Sequence, residues 1–247
     1  MITLDAVGKS YGRNVVLSHV SLDIAAGEIV GLAGVNGAGK TTLLDIVSGL
    51  LRPTSGRWYL EAEAGNRLAA ERIARHGVVR TFQRPRLPTQ ATVWETLLVA
   101  SSPPKAAFLA LGCLSIGQGK ADARLSAVVD SFGFSGDLEI QTGQLPYGRR
   151  KVFEFACRTI RNPRFFALDE PFAGVDAAGV GLIRNALLEF VRRRGAAALI
   201  AEHDSGLLGG LADRILVLDD GVLTDSLPPT GRTWTLPGSE TCSPSKT

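Results

Sequence analysis

A chain of 247 residues, 45% of them apolar, is long enough for one large α/β domain, and its composition argues against wholesale disorder. Lysine plus arginine exceeds the acidic residues by 27 − 24 = +3, too little to imply nucleic acid, and no nucleic-acid partner is expected. The three cysteines, Cys113, Cys157 and Cys242, contain no Cys-x-x-Cys pair, which argues against a zinc cluster or disulfide framework and fits a reducing compartment. Residues 1–5 lack the charged and apolar regions of a signal peptide, and the nearest candidate for a membrane span, residues 106–116, is far short of the roughly 20 residues required.

In chain order, strands are expected at residues 2–7, 15–16 and 21–24. Residues 28–33 form a short apolar run before a glycine-rich turn and read as a buried strand. A helix over 41–51 puts Leu43, Leu44, Val47 and Leu50 on one face, with Pro53 beyond its end. From about 84 to 144 the pattern turns helical, with segments at 93–100 and 122–132 broken by Ser101-Ser102-Pro103-Pro104. This stretch, taken as about 84–147, reads as a helical insertion within an α/β domain spanning 1–226. A helix at 149–160 carries Val152, Phe153, Ala156 and Ile160 and stops at Asn162-Pro163. Residues 165–168 read as a strand ending in Asp169-Glu170. The helix at 177–194 closes on three arginines and Gly195, which suits a C-terminus. Residues 197–201 read as a buried strand, and 215–218, Asp220-Gly221 and 222–223 as a hairpin. From 227 to 247 the chain is rich in Pro, Gly, Ser and Thr and reads as a flexible tail.

Two segments carry chemistry. Gly34-Val35-Asn36-Gly37-Ala38-Gly39-Lys40-Thr41 matches G-x-x-x-x-G-K-[ST] between an expected strand and helix. Glycines let several backbone N–H groups converge on phosphate oxygens, and the helix N-terminus adds a favourable dipole. Lys40 can reach the β- and γ-phosphates of ATP, and Thr41 can offer its hydroxyl to Mg²⁺. The second segment is the strand ending in Asp169 and Glu170. Asp169 is the candidate metal carboxylate. Glu170 is the candidate general base for an attacking water, which implies hydrolysis rather than transfer to a substrate. His203, just past the 197–201 strand, reads either as ordinary surface or as a group orienting water and base.

With these motifs in this order, the chain resembles the nucleotide-binding subunits of ABC transporters over roughly residues 1–226. The resemblance implies a P-loop core with an antiparallel β part and an inserted helical subdomain. It implies that Tyr11 stacks on adenine, and that the phosphate loop from Gly34 through Asn36, Gly37, Ala38, Gly39, Lys40, Thr41 and Thr42 holds the phosphates. It further implies that Gln83 touches Mg²⁺ and couples to the membrane subunit. By the same resemblance Gly148 belongs to the signature, Ala173-Gly174-Val175-Asp176 to the loop at the dimer contact, and Glu202-His203-Asp204 to the switch histidine. Arg80-Thr81-Phe82-Gln83, the run from Thr92 to Ala100 and Tyr147-Gly148 are similar to importer ATPases for branched-chain amino acids, amides or urea.

The implied partners are a second ABC ATPase subunit, integral membrane permease subunits and a solute-binding protein. The implied place is the cytoplasmic face of the inner membrane. One departure stands out. In Leu145-Pro146-Tyr147-Gly148-Arg149, Pro146 replaces a serine of the family signature and Arg149 a glutamine. Proline has neither a hydroxyl nor a backbone N–H, so the site to which this signature is lent is expected to be weakened. Exporter ATPase and weakened regulatory partner are the alternatives. No Asn-Lys-x-Asp motif supports a small GTPase.

Overall fold

The computed structural model describes residues 1–61, 63–102, 123–203 and 205–225. The expectations for the run 106–116, Pro103-Pro104, Asp122, Asp204, the tail at 227–247, Cys113 and Cys242 lie outside those residues.

β1 (Ile2–Tyr11) and β2 (Asn14–Ile24) pair antiparallel. A single continuous β2 replaces the two strands expected at 15–16 and 21–24. Its pairing runs from Ile24 to Asn14 and absorbs the irregular middle as register shifts between Leu4 and Ser10, beside the left-handed Ala6 (φ 47°) and His19 (φ 50°). β4 (Ser55–Leu60) joins the other edge of β1, and β5 (Glu63–Ala64) joins β4. The resulting sheet has the order β2-β1-β4-β5.

The second sheet contains β3 (Ile29–Ala33), β6 (Val78–Arg80), β7 (Phe165–Asp169), β8 (Ala197–Ala201), β9 (Arg214–Asp219) and β10 (Val222–Asp225) in the order β10-β9-β3-β8-β7-β6. All neighbours are parallel except β10 with β9. Strands β3, β7 and β8 are buried at every residue, which is why they read as unbroken apolar runs. Their side chains alternate between two cores. Ile29, Phe166, Leu168, Ala198 and Ile200 face one, with Phe153, Phe155 and Leu187 from the helices. Val30, Leu32, Phe165, Ala167 and Leu199 face the other, with Leu43 and Leu44 and the antiparallel sheet.

α1 (Lys40–Val47) follows the glycine-rich loop. It ends sooner than the apolar spacing predicts. Gly49 turns left-handed (φ 75°), its N–H donates to Ile46 O (3.0 Å), and Leu50, expected on the buried face, is 52% exposed. α2 (Ala70–Arg75), β4, β5 and β6 occupy a stretch where no element was expected. α3 (Val93–Ser101) starts at a capping box: Glu95 N–H donates to Thr92 Oγ1 (3.1 Å), and Thr92 N–H donates to Glu95 Oε2 (2.8 Å). α4 (Ala123–Ser131) and α5 (Tyr147–Thr159) pack beside it, with Pro146 at the N-cap of α5 where no donor is needed. α6 (Ala177–Leu188) is capped by Asp176, whose Oδ1 accepts the Gly179 N–H at 2.8 Å. It runs on as a π turn over Glu189–Arg193 and stops at the left-handed Gly195. α7 (Ser205–Gly209) leads into β9.

The β9–β10 hairpin turns at Asp220 (φ 44°) and Gly221 (φ 74°), the two positive-φ residues that a tight right-twisting turn requires. It is fastened to β2, because the Ser18 N–H donates to Gly221 O at 2.8 Å. A Cβ on Gly221 would lie 2.6 Å from Val16 O, and a Cβ on Gly39 would lie 2.8 Å from the same oxygen. Among the described residues no helix is long and apolar enough to cross a membrane.

Candidate functional site

The site lies at the C-terminal ends of β3, β7 and β8, where parallel strands open toward helix N-termini. β3 delivers the loop at Gly34. Val35, Asn36 and Gly37 are exposed, and Ala38, Gly39 and Lys40 are buried at the start of α1. The first N–H groups of α1 have no intrahelical acceptor, so this end of the helix is suited to an anion. The Lys40 ammonium bends back and donates to Gly34 O (2.6 Å) and Val35 O (2.9 Å). Burial pushes its pKa below the ordinary lysine value, while the carboxylates of Glu170 and Asp169 oppose that shift.

β7 carries Asp169 to the same place. The Thr41 hydroxyl donates to Asp169 Oδ2 at 3.0 Å. Arg80, at the end of β6, donates to the same Oδ2 (3.0 Å) and to Asp45 Oδ1 of α1 (3.1 Å). The arginine is 7% exposed and ties the half-buried Asp45 of α1 to the buried Asp169 of β7.

Glu170, one residue on, is left-handed (φ 46°), and its N–H donates to Ala201 O of β8 at 2.8 Å. That conformation turns its carboxylate away from the strand. Oε1 lies 2.6 Å from His203 Nε2, and Oε2 accepts from Gln83 Nε2 at 3.2 Å. Thus Thr41 contacts Asp169, Gln83 and His203 contact Glu170 beside it, and Lys40 feels the charge of both carboxylates. The fit for a cation is that of hard oxygen donors. The Thr41 hydroxyl and the Asp169 carboxylate are in contact, and no group of three or more His, Cys, Asp or Glu among the described residues could hold a metal by itself. Such a site suits Mg²⁺, which takes few protein ligands and completes its shell with phosphate and water.

Two expected residues stand apart from this cluster. Tyr11 is 53% exposed at the end of β1, with the Lys9 ammonium 5.0 Å from its ring centroid. Gly148 is in the first turn of α5 against Gly174 and Val175, where a Cβ would come within 2.8 Å of Gly174 O. Beside it, the Tyr147 hydroxyl donates to Gln83 O at 2.9 Å. Arg149 turns inward, donating to Asp137 Oδ2 (2.5 Å) and Gly133 O (2.8 Å) and covering the Phe134 ring.

Three buried charged residues beside this cluster have no role in the motifs: Arg80 and Glu202, quoted there only as neighbours of Gln83 and His203, and Lys151, which no motif includes. Glu202 follows β8, burial pushes its carboxyl up to about 7, and its Oε2 has no hydrogen-bond partner among the described residues. The available signal was a charge inside an otherwise apolar strand or helix face, since such charges are rarely buried without a partner.

A family model described as ABC transporter matches residues 17–173. The chain belongs to the ABC transporter family. Its ATP-binding relatives include the high-affinity branched-chain amino acid transport ATP-binding protein LivG of Salmonella typhimurium, 32% identical over 226 residues, which cover 90% of this chain and 89% of LivG. The lipopolysaccharide export system ATP-binding protein LptB of Acidithiobacillus ferridurans is also 32% identical, over 92% of this chain and 90% of LptB. Among solved structures, the ADP conformation of the ABC transporter cassette MJ1267 aligns with a TM-score of 0.75 and 26% identity, covering 91% of this chain and 89% of that one. The chain is therefore an ABC-type ATPase, and the P-loop core with an antiparallel β part is the fold expected of it.

Proposed function

We propose that this ABC ATPase powers solute import, with branched-chain amino acids or related small amides as the solute class. The observation that carries the hydrolytic part is the 2.6 Å contact between Glu170 Oε1 and His203 Nε2, opposite the Thr41–Asp169 pair. The phosphate loop binds ATP through its backbone N–H groups, and Lys40 exchanges its two loop carbonyls for phosphate oxygens. Mg²⁺, when bound, supplies neutralisation of charge on the β- and γ-phosphates. Thr41 and Asp169 would hold it, together with the Gln83 amide oxygen, the atom left for a cation when Nε2 faces Glu170. Glu170 takes the proton of the attacking water, and His203 fixes the orientation of that carboxylate. Tyr11 stacks on adenine.

Gly148 and its neighbours serve the nucleotide of a second ATPase subunit, which makes the working unit a dimer held at the cytoplasmic face by permease subunits. The segment from Gln83 to Ala100 contacts those permeases: Gln83, Arg84 and Arg86 are exposed, and Gln83 links this surface to Glu170. A solute-binding protein supplies the cargo. The domain covers 1–226, with the helical insertion at about 84–147. Import is favoured by LivG at 32% identity; LptB, at the same identity, keeps export as the second reading.

The test is uptake of labelled leucine, isoleucine and valine by cells lacking this gene. Uptake should fall, and be restored by the wild-type chain but not by Glu170→Gln. Unchanged uptake of these amino acids and of small amides, with a defect in export of an envelope component, would overturn the import assignment.

A further inference from the structure

Lys151 lies one turn into α5, on the face that packs against the parallel sheet, and is 5% exposed. A buried ammonium is unfavourable unless it is well paired, so its partners matter. Its Nζ donates to the main-chain oxygen of Glu170 at 2.6 Å, a short charge-assisted bond. The same ammonium lies 5.6 Å from the Tyr147 ring centroid. The charges of Glu202, Glu170, Glu154 and Asp169 favour its charged form against the cost of burial.

The residue it grips is unusual. Glu170 is left-handed at φ 46°, a conformation strained for a side-chain-bearing residue that persists only where neighbours hold it. Three hydrogen bonds do so. The Glu170 N–H goes to Ala201 O (2.8 Å), and the Glu170 carbonyl accepts both Lys151 Nζ and the Ala173 N–H (3.3 Å). Rotating this peptide toward ordinary strand geometry would swing the carboxylate away from His203 and Gln83. Lys151 is the only one of the three partners that reaches Glu170 through a side chain, so it is the one that can be removed without altering the main chain.

We propose that Lys151 is a positioning residue for hydrolysis: its bond to the Glu170 carbonyl locks the left-handed peptide that aims the Glu170 carboxylate at the attacking water. The proposal rests on the reading of Glu170 as the base. It also gives the signature helix a direct hold on the base of its own chain, because Lys151 is three residues from Gly148. The competing role for a buried lysine is plain neutralisation of Glu202 and Glu154, which would support the fold and leave the base indifferent.

The test measures kcat, KM for ATP and the Kd of a fluorescent ATP analogue on the full chain carrying Lys151→Met, Lys151→Arg, Glu170→Gln, or Lys151→Met with Glu170→Gln. Lys151→Met should lower kcat about tenfold or more while KM and Kd move by less than about twofold, since misplacing one reacting group costs rate rather than binding. Lys151→Arg, which keeps a donor cation, should recover about half or more of the lost kcat. In the Glu170→Gln background, Lys151→Met should change the residual rate by less than about twofold, because the two act as a unit. If Lys151→Met does not fold, Lys151→Gln, a neutral donor of shorter reach, is measured in its place.

Wild-type kcat in Lys151→Met overturns the proposal. So does a loss of the same size with and without Glu170→Gln, or a parallel loss of nucleotide affinity that arginine does not repair. Glu170→Gln turning over at the wild-type rate is a separate result, and removes the base assignment itself.

Discussion

The strand ends of β7 and β8 and the first turn of α5 both carry polar side chains placed by a helix or strand terminus, but they use them differently. At the strand ends, Glu170 lies 2.6 Å from His203, and Asp169 accepts the hydroxyl of Thr41 from the start of α1 at 3.0 Å. At the start of α5, Tyr147 reaches the Gln83 carbonyl, Arg149 reaches Asp137, and Pro146 brings neither hydroxyl nor N–H. In the proposed function the first region turns its side chains to a ligand. The second uses them to fasten the molecule internally and leaves mainly the backbone around Gly148 for an outside partner. On the proposed reading, the hydrolytic centre is complete within one chain while the surface offered to a neighbour is impoverished.

The largest effect that tests this contrast is at the strand ends. Glu170→Gln should lower kcat by about 10²–10⁴-fold with ATP binding retained, the range for loss of a general base. Steady-state hydrolysis and equilibrium nucleotide binding check it, and a wild-type rate would dissolve the distinction between the two regions.

Glu202 comes next. Its carboxyl titrates near 7 in the folded chain against 4.5 as the ordinary value, so the native state holds a proton that the unfolded chain has released between those pH values. Stability from this group is therefore lost as pH rises from about 4.5 to 7, with a cost of about 3 kcal/mol above that window. Glu202→Gln should be more stable than wild type at pH 8 and show little difference at pH 4.5. Chemical denaturation at the two pH values measures the gap, and a pH-independent difference would contradict the cause.

Lys40→Ala should weaken nucleotide binding by about 10- to 100-fold, because a hydrogen bond to a charged group is worth about 1.5–3 kcal/mol. Titration with ATP checks it. The smallest effect belongs to α5. Pro146→Ser returns a hydroxyl, and if about 1.4 kcal/mol of its bond to phosphate appears only in the transition state, turnover of the assembled dimer should rise about tenfold. Unchanged turnover would mean that Gly148 and the helix suffice.

Much of this was legible in the sequence, for identifiable reasons. Strands β7 and β8 are buried on both faces and wrote themselves as apolar runs, and Asp220-Gly221 marked its hairpin. The phosphate loop, Asp169, Glu170 and His203 were found by spacing and order, and the chain does bring them together. What escaped was set by partners distant in sequence. β4 begins with three exposed residues and β6 is three residues long with Arg80 at its end, so neither shows a pattern without its neighbour strand. Arg80 meets Asp169 across 89 positions, and Lys151 meets Glu170 across 19. Leu50 was misplaced because a regular apolar spacing outweighed Gly49, the residue that ended α1.

The oxygen of Val16 has a consequence for inheritance. It faces Gly39 of the phosphate loop and Gly221 of the last hairpin, so two glycines 182 positions apart share one wall. Replacing either by alanine must push β2 outward. Once β2 has moved, the second replacement meets less resistance, so the two costs should not add. Natural variation at these positions would then be expected to arrive in pairs, or together with a change in the Val16 strand, linking the first forty residues of the chain to its last described hairpin.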